Sequence, residues 1–312
     1  MTIDIELSKW ARTVMNINRV LKSDRLLRAL TGLNRKAFDE LLVPFAAAIN
    51  EAKYSSKKSR KRAPGGGRKA ELLHLESKLF YILFYFKCYP TFAVAGVLFG
   101  FDDSQAHRWV HRLQPILEVA LGKKLALPER KLESIEAFVL RCPSVKQVMI
   151  DGTERPIARP KDPDKQKLNY SGKKKRHTRK HLAAVDEHKR VIILSKAREG
   201  KLHDKRFLDD EAMAECIPNE IPIQVDLGFQ GLQNEYVNIA LPHKKPPKGE
   251  LSEQQKQENR EKSRTRVKCE HAFAGVKRYN AVAAVYRNRV LDFDDHLMLT
   301  AVGLWNFYLI AA

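Results

Sequence analysis

Asp151, Asp226 and Glu270 have the residue types and surroundings of a metal-dependent site for phosphoryl transfer. Asp151 and Asp226 each follow a short apolar run of strand type, and each precedes a glycine directly or one residue later. An acid at the end of an apolar strand lies at the rim of a sheet, where the sites of α/β proteins are built. Two carboxylates at neighbouring strand ends repel each other unless a cation lies between them, and oxygen ligands suit Mg²⁺ or Mn²⁺.

Glu270 is the candidate for a third metal ligand. It lies in a long, charged segment predicted to be helical, Ser252–Tyr279, with basic residues on both sides. This setting is unusual for a solvated acidic face but suits a ligand that works beside phosphate. Two ions held by the three acids would activate a water or a 3′-hydroxyl and stabilise the leaving oxygen. The alternative is structural, because an Asp before Gly is often a turn residue and a lone Glu in a charged helix is usually solvated.

The charge balance indicates a polyanionic partner. The 312 residues include 57 Lys and Arg against 37 Asp and Glu, a formal net charge of +20, which favours nucleic acid. The longest apolar run, Leu79–Phe86, is far short of the roughly 20 residues that span a bilayer. Residues 1–10 lack the basic and apolar regions of a signal peptide. We therefore expect a cytoplasmic protein without a membrane partner.

The cysteines and glycines exclude other kinds of site. The four cysteines are scattered and form no CxxC pair, which predicts buried free thiols rather than disulfides or structural zinc. A Gly-rich nucleotide loop is absent from the sequence, so ATP use is not expected.

Two domains are expected from the length, at about 150 residues per domain. We predict a helical DNA-binding region over residues 1–140 and a mixed sheet flanked by helices over residues 141–312, an α+β organisation. Residues 52–70 contain eight Lys and Arg, no acid, and Pro-Gly-Gly-Gly. They predict a flexible basic linker, which is either a solubilising tether or an arm that contacts phosphate.

A helix-turn-helix is predicted within the helical region. A short helix, Phe92–Phe99, a glycine-containing turn and a longer helix, Ser104–Ala120, follow one another. Arg108 and Arg112 lie one turn apart on the polar face of the second helix, where side chains that enter a major groove would be. An ordinary helical bundle with a solvated face is the alternative. The other helices predicted here are Arg35–Ile49, capped by Thr31 or Asn34, and the buried Leu72–Phe86.

Five strands are predicted in the second half of the chain, followed by a closing helix, Phe293–Ile310. The strands are Val145–Ile150, which ends at Asp151, Lys175–Asp186, Arg190–Ser195, Ile221–Val225 and Asn238–Leu241. A helix opens at His203-Asp204, and Asp204 is the reserve acid. His177 and His181 share a strand face, and we expect them to be packed or DNA-facing rather than metal ligands.

A basic strip lies at and within the second of these strands. No acid occurs between Tyr170 and Val185. Beside a carboxylate site in a basic protein, such a strip would contact phosphate, whereas a solvated strand edge is the alternative. Its members are Lys173, Lys174, Lys175, Arg176, Arg179 and Lys180.

Several ordered motifs between Val148 and Phe307 resemble DDE-superfamily transposases of bacterial insertion sequences, in the branch related to PIF/Harbinger elements. The motifs are Val148–Ile157, Tyr170–Thr178, His203-Asp204-Lys205, Val225–Gly231, Pro242–Pro246, Arg266-x-x-x-Glu270, Lys277 and Tyr286–Arg289. Related transposases carry a Tyr-x-x-Arg-x-x-x-Glu-x-x-x-x-x-x-Lys pattern. Arg266, Glu270 and Lys277 match it, whereas Ser263 stands in the place of the tyrosine.

The resemblance implies an RNase H-like fold, a triad of Asp151, Asp226 and Glu270, and two bound Mg²⁺ or Mn²⁺ ions. It also implies cleavage of double-stranded DNA at the terminal repeats of an element and transfer of the cut strands to a target. We expect a homo-oligomer in the DNA complex, associated with the nucleoid. Arg266 and Lys277, at positions i−4 and i+7 from Glu270, would lie on the face of the glutamate and contact DNA there.

Two other functions remain open at this point. A catalytically inactive, transposase-derived regulator would keep the DNA-binding features but would usually lose one acid, and all three acids are present. A metal-dependent nuclease or phosphatase without transposition would need only the acids. The helical region and the basic linker therefore favour a transposase over this alternative.

Overall fold

The structure, a computed structural model, describes residues 15–54 and 72–311. The chain packs as two units. The first comprises the residues up to Leu125, Tyr279–Ala281 and the residues from Ile310, and the second comprises Ala126–Arg278 and Val282–Leu309. Among the described residues, no helix combines the length and the apolarity needed to cross a membrane.

The described residues of the first unit up to Leu125 are mostly helical, as predicted. Its helices there are α1 (Ile17–Leu21), α2 (Asp24–Thr31), α3 (Arg35–Tyr54), α4 (Leu75–Cys88), α5 (Phe92–Phe99) and α6 (Asp103–Lys123). Asn34 caps α3, since its Oδ1 accepts a hydrogen bond from Ala37 N at 2.8 Å. Thr31 was the wrong alternative, because it ends α2 and its hydroxyl donates to Leu27 O. Residues 52–54 of the predicted linker belong to α3, and the rest lies outside the described residues.

Helices α5 and α6 form the predicted helix-turn-helix. Gly100 caps the C-terminal end of α5. It has a φ of +75°, its N–H donates to Gly96 O, and such a left-handed cap favours glycine. A Cβ on Gly96 would lie 2.5 Å from Phe101 O, so the turn requires glycine there. Helix α6 buries its apolar face and leaves Arg108 and Arg112 exposed.

The second unit is built on a mixed sheet. Its strands are β1 (Val148–Pro156), β2 (Tyr170–Ser171), β3 (Arg176–Asp186), β4 (Val191–Leu194), β5 (Arg198–Glu199), β6 (Ile223–Gln224) and β7 (Ile239–Ala240). The central order is β4-β3-β1-β6-β7, and the short strands β2 and β5 also pair with β3. Pairing is antiparallel from β4 to β1 and parallel from β1 to β7. This is the RNase H-like sheet that the resemblance led us to expect.

Helices flank this sheet. They are α7 (Ile135–Arg141), α8 (Pro163–Asn169), α9 (Asp204–Glu211), α10 (Glu253–Lys277) and α12 (Phe293–Ala311), with 3₁₀ turns at Leu227–Phe229 and Leu232–Asn234. The short helix α11 (Asn280–Ala283) lies between α10 and α12 in the sequence. Side chains alternate across β1. Val148 and Ile150 join a core that includes Phe207 of α9. Helix α10 begins with a capping box at Ser252.

Strand β1 is longer than predicted. Asp151 is its fourth residue rather than its end, because Thr153 and the residues after it continue to pair with β3. Gly152 is a close-approach residue instead of a turn residue, since a Cβ there would lie 3.1 Å from Asp204 Oδ1. Only the parallel pairing with β6 stops near Asp151, so the acid lies at the end of that ladder.

Buried polar contacts attach the start of α12 to the sheet. His181 of β3 is fully buried, with Nε2 3.2 Å from Asp295 Oδ1. Asp295 also binds Arg130 at 2.5 Å. Burial acts to raise the pKa of Asp295, but the hydrogen bonds from His181 and Arg130 outweigh it and lower that pKa well below its usual range. His181 is therefore packed, as expected, and so is the half-buried His177, whose ring contacts Tyr170.

Candidate active site

Asp151 and Asp226 are neighbours because β1 and β6 run in parallel and in register. Val148 of β1 pairs with Ile223 of β6. Asp151 is the third residue after Val148, and Asp226 is the third residue after Ile223. Both acids are half-buried. Each carboxylate accepts a hydrogen bond from the backbone N–H of a following glycine, at 2.7 Å and 2.8 Å respectively. The backbone therefore holds both carboxylates at the same edge of the sheet.

Asp226 acts electrostatically on Asp151. Burial is the main cause that raises the pKa of Asp151 and the negative charge of Asp226 is the second, and the resulting pKa is about 6. The backbone hydrogen bond and the positive charges of Lys173 and Arg266 oppose this shift without overcoming it. An acid pair of this kind favours either a shared proton or a bound cation.

Helix α10 passes beside this pair at Cys269. Burial raises the pKa of the Cys269 thiol, the negative charge of Asp151 raises it further, Arg266 lowers it and Glu270 raises it. These four groups therefore lie in one neighbourhood. The Glu270 side chain is exposed, and among the described ion pairs none joins it to Arg266.

Lys277 lies two turns further along α10 and also turns toward the acids. Burial lowers the pKa of its ammonium, and the positive charge of Lys174 lowers it further, whereas Glu154 and Asp151 act in the opposite direction. Lys277 and Lys174 are thus two cations close to one another, and Lys277 is also close to Asp151. A phosphate placed there would relieve the repulsion between them.

The donor set suits a divalent cation, although the three acids are not gathered into one cage. Asp151 and Asp226 offer carboxylate oxygens, the ligands that Mg²⁺ and Mn²⁺ prefer, and their mutual repulsion would be neutralised by a cation. Across the described ranges, no group of three or more His, Cys, Asp or Glu side chains is arranged to hold an ion. The structure brings two of the predicted ligands together and leaves the carboxylate of Glu270 exposed.

Asp204, the reserve acid, lies behind the pair. Its Oδ1 would be 3.1 Å from a Cβ on Gly152, and its Oδ2 3.3 Å from a Cβ on Gly228. Lys180 donates to Asp204 Oδ1 at 2.8 Å, and only 8% of its side chain is exposed. Asp204 therefore packs against the two glycines that follow the acids.

The predicted basic strip divides into an exposed and an inward-facing part. Lys173, Lys174, Lys175 and Arg176 are exposed around the β2–β3 turn. Lys180 is buried against Asp204, contrary to the prediction that it contacts phosphate, and the half-buried Arg179 binds Asp294 at 3.1 Å. In the first unit, the exposed Arg112 guanidinium lies 5.4 Å from the centroid of the Trp109 ring, on the predicted reading face of α6.

These features define a class of protein, in which a helix-turn-helix is followed by an RNase H-like sheet that carries two neighbouring acids. Two family models match: "DDE superfamily endonuclease" over residues 150–306 and "Helix-turn-helix of DDE superfamily endonuclease" over residues 71–123. The chain belongs to the DDE endonuclease superfamily, which confirms the resemblance. The narrower assignment to the PIF/Harbinger branch stays a prediction.

One curated relative matches nearly the full length. It is described as "Probable transposase for insertion sequence element IS702", from Microchaete diplosiphon. The two chains are 29% identical over 286 residues, which cover 91% of this chain and 95% of the relative. No solved structure matches the chain significantly.

Proposed function

We propose that this protein is a DNA transposase, which cleaves the ends of an insertion element and transfers the cut strands to target DNA. The observation that carries the proposal is the proximity of Asp151 and Asp226 at one edge of the sheet. Cations of α10 lie beside these two acids. The chain also belongs to the DDE superfamily. The name of the full-length relative supports transposition rather than general nuclease action. The protein would work in the cytoplasm on nucleoid DNA.

Asp151, Asp226 and Glu270 would hold two Mg²⁺ or Mn²⁺ ions. Bound there, the ions would supply the Lewis acidity that activates a water or a 3′-hydroxyl and stabilises the leaving oxygen. The side chains of Arg266 and Lys277 would hold the phosphates that flank the scissile bond. Lys173 and Lys174 would hold the backbone as it enters the site from the β2–β3 turn, with Lys175 and Arg176 contacting it farther out.

Helix α6 would select the DNA. Arg108 and Arg112 would read bases of the terminal repeats in a major groove, while the sheet unit would carry out the chemistry. Because an element has two ends, we propose that a homo-oligomer holds both of them in the DNA complex.

Cleavage of DNA that carries candidate element ends tests the proposal. Purified full-length protein, incubated with Mg²⁺ or Mn²⁺, should nick or cut these ends. Asp226→Asn should abolish cleavage while binding is kept or becomes tighter, because a negative charge beside phosphate is removed. Glu220→Gln is the matched control, since this exposed acid precedes β6 whereas Asp226 follows it. An Asp226→Asn protein that cleaves at the wild-type rate would overturn the assignment.

The same reaction separates the remaining alternatives. DNA with a pre-cut 3′-hydroxyl end, supplied with a plasmid target, should give joined products. Cleavage without joined products would identify a nuclease that does not transpose. If the protein binds the DNA but gives neither cleaved nor joined products with Mg²⁺ or with Mn²⁺, it is an inactive DNA-binding regulator.

A further inference from the structure

An open cavity of about 680 Å³ lies beside the β2–β3 hairpin, outside the acid pair. Tyr170 and His177 provide aromatic surface, and Arg159, Lys167 and Lys201 provide positive charge. The volume falls within the range of small-molecule sites, roughly 300–1,000 Å³. No part of the catalytic proposal uses this cavity.

The aromatic surface is held in place by the strand pairing. Tyr170 and His177 are register partners of β2 and β3, and their ring centroids lie 5.7 Å apart with an interplanar angle of 72°. Tyr170 is nevertheless 44% exposed, so part of a large aromatic ring remains available in the cavity. Such a ring offers a stacking surface to a planar ligand.

The charged surroundings favour an anionic ligand. Arg159, Lys167 and Lys201 are all exposed. Arg159 Nε donates to Gln166 Oε1 at 2.9 Å, which orients the guanidinium at the cavity. Aromatic surface bordered by cations is the combination that binds single-stranded nucleic acid, with bases stacked on rings and phosphates held by basic side chains.

The hairpin links this cavity to the candidate active site. The turn after Ser171 carries Lys173, whose charge lowers the pKa of Asp151, and Lys174, whose charge acts on Lys277. Ser171 Oγ accepts a hydrogen bond from Lys174 N at 3.1 Å and thereby shapes this turn. A DNA strand held by these two lysines would therefore have the Tyr170 cavity a few residues away along the same hairpin.

We propose that this cavity binds an unpaired nucleotide of the DNA substrate, whose base stacks on Tyr170 and whose phosphates contact Arg159, Lys167 and Lys201. A base inside a duplex is already stacked on its neighbours, so the ring can be used only where the DNA is frayed, flipped or single-stranded. The inference rests on the proposed function, because it deepens the choice of DNA as substrate. It assigns one structural feature of that DNA, an unpaired base close to the cleaved bond.

Binding without divalent metal tests the inference apart from catalysis. The probe is a single-stranded oligonucleotide with one 2-aminopurine, compared with its fully complementary duplex, in EDTA. With wild-type protein, the 2-aminopurine fluorescence should be quenched on the single strand. Tyr170→Ala should weaken single-strand binding by about 5- to 150-fold, the usual effect of losing one stacking ring, and should leave duplex binding unchanged. Tyr170→Phe should keep both the affinity and the quenching.

Leu168→Ala is the matched control, because Leu168 is 51% exposed and lies two residues before Tyr170 without lining the cavity. Equal single-strand affinity of Tyr170→Ala and wild-type protein would overturn the inference, as would an equal loss on both probes. Duplex binding by wild-type protein without any quenching of the single strand would also overturn it. Since no cleavage is measured, a failure here is distinct from a failure of the transposase proposal, which the Asp226→Asn cleavage assay decides.

Discussion

Asp151 and Asp226 occupy equivalent positions of two parallel strands, each three residues beyond the register pair Val148–Ile223. Their separation along the chain therefore equals the register offset between β1 and β6. Any insertion in the connection between these strands would change the sequence spacing but not the distance between the carboxylates. The two acids lie side by side because of the strand register. Their proximity does not depend on the helices and loops that separate them in the sequence.

The burial of Asp151, together with the charge of Asp226, predicts a pH-dependent cost in stability. The folded pKa of Asp151, about 6, is above its ordinary value of 3.8, so folding favours the protonated form. The cost of ionised Asp151 is absent below about pH 4 and fully present above about pH 6, where it reaches on the order of 3 kcal/mol. Asp151→Asn removes this cost, so its unfolding free energy relative to wild type should rise as the pH increases from 4 to 7.

Urea unfolding of both proteins in EDTA measures this difference. Glu220→Gln serves as the control, because an exposed acid should give a difference that is flat with pH. If the difference between Asp151→Asn and wild type were equally flat, the carboxyl would have an ordinary pKa in the folded protein. Burial and the negative charge of Asp226 would then have no net effect on the ionisation of Asp151.

The Lys180–Asp204 pair predicts a strong coupling energy. Their side chains are only 8% and 16% exposed. Removal of Asp204 leaves Lys180 with the buried Glu154 carboxylate 3.9 Å away, and removal of Lys180 leaves both carboxylates without this cation. Lys180→Met and Asp204→Leu should each cost about 3–5 kcal/mol in unfolding free energy. The double variant should cost clearly less than the sum, because it leaves neither member of this pair without the other.

Lys205 and Asp209 of α9 provide the comparison for this double-mutant cycle. They form a more exposed i,i+4 pair at 2.9 Å, for which a coupling of about 0.3–0.5 kcal/mol is usual. If the double variant cost as much as the two single variants together, Lys180 and Asp204 would have no coupling energy. The buried pair would then be no stronger than this surface pair.

Local sequence patterns predicted the elements but not the long-range polar contacts. Helices α3 and α6 could be predicted because the period of their apolar residues reports which face is buried. Gly152 misled the assignment of β1, since glycine after aspartate is usually a turn signal. Here the glycine provides space for Asp204, which is 52 positions away in the sequence and gives no local sign of its approach.

The basic strip shows the same limit at the level of single side chains. Lys173 and Lys180 belong to one acid-free segment and are indistinguishable by composition. Lys173 is exposed, whereas Lys180 is buried because Asp204 and Leu202 O accept its hydrogen bonds. The hydrogen bond of Glu154 could not be predicted for a similar reason. Its carboxylate accepts a hydrogen bond from the Thr178 hydroxyl at 2.7 Å within the sheet. Only the register of β1 and β3 brings Glu154 and Thr178 together.

The exposed arginines of α6 predict sequence selectivity. Arg108 and Arg112 are exposed on the same face of this helix, where a recognition helix presents side chains to bases. Replacement of either by Ala should weaken binding to element ends by about 1–3 kcal/mol and should change binding to random DNA little. Fluorescence anisotropy on both DNAs measures the effect, with the exposed Arg25 of α2 replaced by Ala as the control. An equal loss on random DNA would assign the arginine to backbone contact.

Arg266 and Lys277 are predicted to act in the chemical step as well as in binding. Both lie near Asp151, since the charge of Arg266 lowers the pKa of Asp151 and the charge of Asp151 acts on Lys277. Cations placed where negative charge develops stabilise the transition state more than the ground state. Arg266→Ala and Lys277→Ala should therefore each lower the single-turnover cleavage rate, on the order of 10²-fold, even at saturating DNA.

Arg264→Ala is the matched control for this measurement. Arg264 is exposed on α10, and at about 100° per residue it lies roughly 120° around the helix from Glu270. Its replacement should weaken DNA binding at most and restore the full rate once DNA is saturating. If Arg266 acted only through an i,i+4 pair with Glu270, a contribution of a few tenths of a kcal/mol, its variant would behave like Arg264→Ala. Wild-type single-turnover rates for both Arg266→Ala and Lys277→Ala would remove these cations from the chemistry and leave the acids as the whole of the catalytic machinery.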